Sequence, residues 1–168
     1  MKIGSPGFNL YLLLLLACAG CETTGHQKEA STLQLHVEVN PDGTDRNAPV
    51  PIGRGDFSFQ VNVERDPFLN EGSITEAWVV DALGGFQILV KYDAKGTRLL
   101  DQYSMAHRGK RVAILSQFGE ARWLAAPVLA NRITDGTFAF TPDATREEAE
   151  RIVRGLNNVA KEMHKDSW

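Results

Sequence analysis

The chain has 168 residues, a formal net charge of −3 at pH 7 and 43% hydrophobic residues. Its positive and negative side chains are interspersed, which argues against a nucleic-acid-binding surface, because such a surface is clearly basic. Both cysteines, Cys18 and Cys21, lie near the start, so we expect no disulfide framework and a folded part that depends on its hydrophobic core. The residues beyond that start are enough for one domain of ordinary size.

The first 20 residues have the features of a bacterial signal peptide. Met1 and Lys2 give a positive start, and residues 8–19 are nearly all apolar. That run is too short to cross a membrane as a helix, which takes about 20 residues, but its length is typical of the region before a signal-peptide cleavage site. We therefore expect residues 1–20 to be removed during export, which places the remainder in the cell envelope, facing the periplasm or the cell exterior.

Small residues around the two cysteines resemble the lipobox of bacterial lipoproteins, in which a cysteine thiol receives a diacylglycerol before cleavage. Ala19 and Gly20 directly precede Cys21, although Cys18 stands where leucine is usual. The alternative is Cys18, which has the leucine, but Leu16 is bulky for its position. We favour Cys21 because polar residues follow it at once. The resemblance implies acyl chains such as palmitate that hold the protein in a lipid bilayer without a transmembrane helix.

Residues 21–32 are polar and lack periodicity, which predicts a flexible tether before a single domain at residues 33–168. Alternating apolar and polar residues over 33–39 predict a half-buried strand with His36 on its polar face. A turn signal follows, and three prolines before Gly55 predict an exposed loop. Five further strands are predicted: residues 57–63, 74–81, 85–92, 110–117 and 133–140, with a short extended piece at 122–126.

Two amphipathic helices are also predicted. The first runs from about residue 94 to 108, with Asp93 as its N-cap and a left-handed Gly109 beyond its end. The second begins with a capping box formed by Thr145 and Glu148. Its apolar residues fall on one stripe: Ala149, Ile152, Val153, Leu156, Ala160 and Met163. Hairpins followed by helices predict an α+β two-layer sandwich, a mostly antiparallel sheet with the two helices on one face.

Four segments occur in the order found in the head subdomain of the first periplasmic domain of the SecD/SecDF protein-export subunit, and the chain resembles that family. The segments are residues 109–115, 125–129, 133–136 and 144–150, within a similar stretch of about residues 67–159. The resemblance implies the head fold and a role in contacting a polypeptide or another protein. Residues 117–120 replace the family's tight Asp-Gly turn, and the family's membrane helices do not occur in this sequence, so no proton-driven motor is implied.

No pattern in the sequence predicts catalysis, a metal site or a cofactor. The four histidines, His26, His36, His107 and His164, lack zinc-site spacing, and the last two are expected near helix C-termini, where positive charge is favourable. No serine lies in a nucleophile elbow. Residues 54–56 match the Arg-Gly-Asp adhesion tripeptide. A match of only three residues often arises by chance. We therefore expect no enzyme activity.

Residues 118–130 form the predicted partner-contact segment. We expect an irregular loop here, because Pro127 cannot continue an interior strand. Arg122 and Trp123 lie together in it, and arginine and aromatic residues are enriched at interfaces; the alternative is that Trp123 packs onto the sheet. Trp78 is expected in the core.

The sequence as a whole predicts a membrane-anchored, non-enzymatic lipoprotein. Its partners are expected to be the bilayer, through the acyl chains, and an envelope protein or an extended polypeptide. The alternative is a structural lipoprotein that bridges membrane and cell wall or self-associates.

Overall fold

The computed structural model describes residues 29–53 and 58–165. The predicted signal peptide, both cysteines and the 54–56 tripeptide lie outside these residues. The described elements, in chain order, are β1 (Thr32–Val37), β2 (Asn47–Ile52), β3 (Phe59–Glu64), β4 (Ile74–Ala82), β5 (Gly85–Tyr92), α1 (Ala94–Ala106), β6 (Val112–Phe118), β7 (Glu120–Ala125), β8 (Thr137–Phe140) and α2 (Arg146–Met163). Neither helix in this part of the chain is long and apolar enough to cross a membrane.

The strands form three antiparallel sheets. Two of them have three strands, in the orders β1-β6-β7 and β4-β5-β8, and the third is the β2-β3 hairpin. The main core takes buried side chains from both three-stranded sheets and from α2, including Leu35, Ile114, Ile88 and Leu156. The predicted α+β class, with mostly antiparallel sheet and two amphipathic helices, is confirmed.

Helix α2 begins and packs largely as its sequence predicts. The Thr145 hydroxyl accepts a hydrogen bond from the Glu148 amide at 3.1 Å. Five of the six residues on the apolar stripe are buried. The prediction is wrong for Met163, which is 50% exposed at the last helical position.

Helix α1 also has its predicted ends. The Asp93 carboxylate accepts from the Gly96 amide at 2.6 Å, and Gly109 is left-handed with φ of 83°. The buried Ser104 hydroxyl accepts from the Ile133 amide at 2.9 Å. Because that amide bonds to a helix and not to a strand, β8 begins at Thr137; the predicted start at residue 133 is wrong.

The predicted loop before residue 55 is wrong as well, because it contains β2. Its register with β3 pairs Pro49 with Asn62 and Pro51 with Gln60, while the flanking Arg65 amide bonds to the Arg46 carbonyl at 2.9 Å. Hydrogen-bonded and non-bonded pairs alternate in an antiparallel ladder. Both prolines therefore occupy non-bonded positions, where a missing N–H costs the ladder nothing.

The β2-β3 hairpin covers the outer face of the β1-β6-β7 sheet. Val50, Val61 and Ala113 belong to a second small core there. His36, predicted on the polar face of β1, is only 4% exposed, and its Nδ1 lies 2.9 Å from the Glu64 carbonyl oxygen. The burial of His36 follows from the hairpin that the sequence did not reveal.

The last residues of the predicted tether lie against α2. The Glu29 carboxylate pairs with Arg151 Nε at 3.5 Å and Arg154 Nε at 3.2 Å. Ser31 is buried, and a Cβ on Gly155 would lie 2.3 Å from its Oγ. The chain therefore enters the domain across the middle of α2, at a point where only glycine leaves room.

Replacing Leu156 with alanine tests whether α2 closes the main core. Leu156 is 1% exposed, so Leu156→Ala should lower the free energy of unfolding by about 2–5 kcal/mol through lost apolar contact and a residual cavity. Urea denaturation of the two proteins measures the difference.

Met163→Ala is the matched control, since Met163 is also a long apolar side chain of α2 but is half exposed. We expect it to change stability by less than about 0.5 kcal/mol. Equal losses from the two substitutions would contradict the assigned packing of α2.

Candidate binding groove

A groove of about 580 Å³ lies where the ends of β7 and β8 approach each other beside the β2-β3 hairpin. Residues 124–127 form one wall, residues 139–143 form another, and Ile52 and Phe59 contribute from the hairpin. Most of the lining is apolar. A second concavity, of about 210 Å³, shares Pro127 and Ala139 with the first and continues along β8. The volume of the larger part is in the usual range for a ligand-binding cleft, about 300–1,000 Å³.

Strand β8 presents its outer backbone edge to this groove. The Tyr92 amide bonds to the Gly136 carbonyl at 2.9 Å, and the register continues with Val90 opposite Phe138 and Leu89 opposite Ala139. Hydrogen-bonded and non-bonded pairs alternate along an antiparallel ladder. Counted from the bonded pair Tyr92–Gly136, the pair Leu89–Ala139 is non-bonded, so the N–H and C=O of Ala139 point away from β5. Among the described residues, no other segment donates to or accepts from these two groups.

One end of the groove is closed by a direct link between its walls. The Asp143 amide donates to the Leu124 carbonyl at 2.7 Å. Past that bond the walls separate, so Ala125, Ala126 and Pro127 face residues 139–141 across the groove. The result is an apolar cleft in which the outward N–H and C=O of Ala139 have no partner among the described residues.

Arg122, a predicted contact residue, lies beside the closed end. Its Nη1 donates to the Asp143 carbonyl at 2.7 Å, and its Nη2 pairs with the Glu148 carboxylate in the first turn of α2. The side chain is 23% exposed. Arg122 therefore connects β7 to the segment that enters α2, a structural role in addition to any contact with a partner.

Trp123, the second predicted contact residue, is half-buried against the second core. Its ring meets His36 edge to face, with centroids 5.1 Å apart. The extended piece predicted at 122–126 corresponds to β7, which forms a hairpin with β6 that turns at Gly119 with φ of 76°. The expectation of an irregular loop over the whole of 118–130 is wrong for the residues of this hairpin. Contact between a partner and these two residues stays a prediction.

The remaining residues singled out in the sequence lie apart from the groove. Trp78 is half-buried and is not among the buried core residues, so its predicted core position is wrong. His107 and His164 cap the ends of α1 and α2, as predicted. Asp101 pairs with Arg132, and this hydrogen bond lowers the pKa of the Asp101 carboxyl.

The groove offers apolar contact and backbone hydrogen bonding. In the described part of the chain, no group of three or more His, Cys, Asp or Glu side chains is arranged to hold a metal ion. Burial raises the pKa of Tyr92, which lies in the main core and not in the groove. Among the described residues, the polar side chains of the lining are those of Gln87, Thr141 and Asp143.

Solved structures of SecDF have a fold similar to this one. The first, described as a membrane component that enhances protein export, aligns with a TM-score of 0.56 at 18% identity, over 77% of this chain and 63% of that one. A second, SecDF in a super-membrane-facing form, has the same score and identity but is matched over only 19% of its length. The fold of this chain is thus similar to that of part of SecDF, and the resemblance given by its sequence motifs is confirmed at the level of the fold. No protein-family model and no curated protein matches the sequence.

Substitution of Arg122 tests its structural role. Arg122→Ala should lower the free energy of unfolding by about 1–3 kcal/mol, because it removes charge-assisted hydrogen bonds from a partly buried position. Arg108→Ala is the control, since Arg108 is exposed and, among the described residues, donates one hydrogen bond, to the Ala130 carbonyl. This substitution should cost less than about 0.5 kcal/mol. Chemical denaturation distinguishes them. A neutral result for Arg122→Ala would leave its side chain available chiefly for a partner.

Proposed function

We propose that the chain is a non-enzymatic lipoprotein of the bacterial envelope whose folded domain binds extended polypeptide, in the periplasm or at the cell exterior. The observation that carries this proposal is the fold shared with SecDF, a membrane component that enhances protein export. The apolar groove with an open strand edge supports it, because an extended chain needs both apolar contact and backbone partners.

The anchor in this proposal is Cys21, with diacylglycerol on its thiol and a further acyl chain on its amine. Cys21 lies eight residue steps before Glu29, where the chain meets α2. A fully extended segment of that length reaches at most about 29 Å. A lipid anchor at Cys21 would therefore keep the domain close to the bilayer, with α2 on the side where the tether attaches.

Two serine substitutions test the anchor. Cys21→Ser should leave the protein unlipidated and the signal peptide uncleaved, whereas Cys18→Ser should yield a lipidated chain that begins at Cys21. Mass spectrometry of protein extracted from bacterial membranes gives both the N-terminus and the acyl mass. The opposite pattern would identify Cys18 as the anchor, and a soluble, unmodified chain from the wild type would contradict lipidation altogether.

Binding of unfolded polypeptide is tested with the full chain in lipid nanodiscs. The probe is reduced, carboxymethylated α-lactalbumin, which cannot refold, and native α-lactalbumin is the control. We expect capture of the unfolded form alone, because only an extended chain presents free backbone groups and apolar side chains together. If the protein does not bind the unfolded probe but co-sediments with purified peptidoglycan, polypeptide binding would be contradicted. That result would support a structural role in which the protein bridges membrane and cell wall.

A further inference from the structure

Two outer strands of this fold are covered by other segments of the chain. The Leu35 amide of β1 donates to the Leu69 carbonyl at 2.9 Å, and the Phe68 amide returns a bond to the Leu35 carbonyl at 3.0 Å. On β3, the Asn62 carbonyl accepts from the Val39 amide at 2.9 Å. Such cover prevents an edge from pairing with another chain.

Two further edges are blocked without a covering segment, one by a side-chain amide and the other by prolines. The Asn157 side chain donates to the Ala77 carbonyl at 2.9 Å and accepts from the Ala77 amide at 2.8 Å, so it substitutes for a neighbouring strand on β4. On β2, Pro49 and Pro51 leave no amide at two of the outward positions. These features make β4 and β2 poor templates for an added strand.

The edge of β8 has no comparable cover at Ala139. The preceding outward amide, on Thr137, is capped at 3.1 Å by the Asp135 carboxylate, but no described group bonds to the outward amide or carbonyl of Ala139. We propose that an extended segment of another polypeptide binds in the groove as an added strand on β8, paired with Ala139. This inference rests on the proposed function and identifies the mode of binding.

The groove walls favour an apolar segment. Opposite β8, small side chains at Ala125, Ala126 and Pro127 leave space, and Phe59, 44% exposed, stands at the rim. Ala139 is exposed and small, so its side chain does not obstruct an incoming strand. A bound segment with alternating apolar residues would place one set of side chains against these walls.

Charge on the outer side of the groove favours acidic residues next to that apolar segment. Arg111 Nη1 donates to the Ala126 carbonyl at 3.0 Å, and Arg108 Nε donates to the Ala130 carbonyl at 3.1 Å. Lys110 lies between them in sequence. The acidic group that contacts this cluster within the described residues is Glu38, whose carboxylate accepts from the Arg111 amide at 2.8 Å. Among the described residues, the cluster therefore has three positive charges and one contacting carboxylate, while Asp143 at the closed end of the groove is paired with Arg122. This border of the groove is basic.

The experiment measures binding of a fluorescein-labelled peptide to the full chain in nanodiscs by fluorescence anisotropy. The peptide alternates valine and threonine over eight residues and ends in Asp-Glu. Ala139→Pro removes the outward amide without taking a bond from the ladder with β5, so the domain should still fold. We expect Ala139→Pro to weaken peptide binding by about tenfold or by a larger factor, because a backbone hydrogen bond is lost and the proline ring obstructs pairing.

Matched variants test the walls. Phe59→Ser should weaken binding by about threefold to tenfold through lost apolar contact, while Leu83→Ser, at a fully exposed leucine of the β4-β5 turn, should leave it unchanged. Two N-methylated forms of the same peptide test the pairing without altering the protein: one is methylated on the odd-numbered backbone amides and the other on the even-numbered ones. One of the two forms must lose binding, because its methyl groups face β8.

The outcomes separate this inference from the proposed function. Equal binding by wild type, Ala139→Pro and both methylated peptides would overturn strand addition while leaving polypeptide binding intact. Absence of binding to the peptide and to unfolded α-lactalbumin would overturn both. A concentration-dependent dimer that Ala139→Pro abolishes, without peptide binding, would show that the β8 edge pairs with a second copy of the chain and would also overturn the proposal.

Discussion

The need to satisfy backbone groups at strand edges shapes this domain more than any other constraint. Its eight described strands are divided among three small sheets, so many strands lie at an edge, and each buried N–H or C=O left unpaired costs free energy. The chain meets this need with short segments, with the Asn157 amide and with prolines. At Ala139 the edge of β8 faces an apolar groove, and no described group bonds to its outward N–H and C=O.

Strong periodicity predicted most of the fold from the sequence. Strands β1, β3, β4 and β5 and both helices follow from alternation, capping residues and apolar stripes, since these features act locally. Strand β2 could not be predicted in the same way, because proline usually argues against a strand. Pro49 and Pro51 are tolerated only because the register turns both toward the outside, and that register depends on β3, which lies later in the chain.

The burial of His36 has the same origin. Alternation along β1 places the His36 side chain on the face of the sheet away from Leu35, and a polar residue on that face normally contacts solvent. The β2-β3 hairpin covers the face instead, so the His36 ring packs against Trp123 and bonds to the Glu64 carbonyl. The alternation within one strand cannot show that another part of the chain covers the outer face of that strand.

The candidate site was predictable only in part. The sequence predicted a partner-contact segment at residues 118–130, and the C-terminal half of this segment does line the groove. However, the groove depends on how far the β7 and β8 edges separate, which is a property of two sheets and not of one segment. Ala139 gives no sequence signal, because its importance lies in the direction of its backbone groups.

The proposed tether and the groove are placed at different parts of α2, and this arrangement bears on how the domain would work at a membrane. Asp143, at the closed end of the groove, lies just before α2, whereas Glu29 meets the helix near Arg154. Thr145 and Arg154 are nine residue steps apart along the helix, or about 14 Å at 1.5 Å per residue. A lipid anchor at Cys21 would thus attach away from the groove's closed end and still hold the groove within a few tens of ångströms of the bilayer. If the domain is anchored and binds extended polypeptide as proposed, it would meet its ligand at a raised effective concentration. A groove with an open strand edge would then need only modest affinity to retain an extended chain near the membrane.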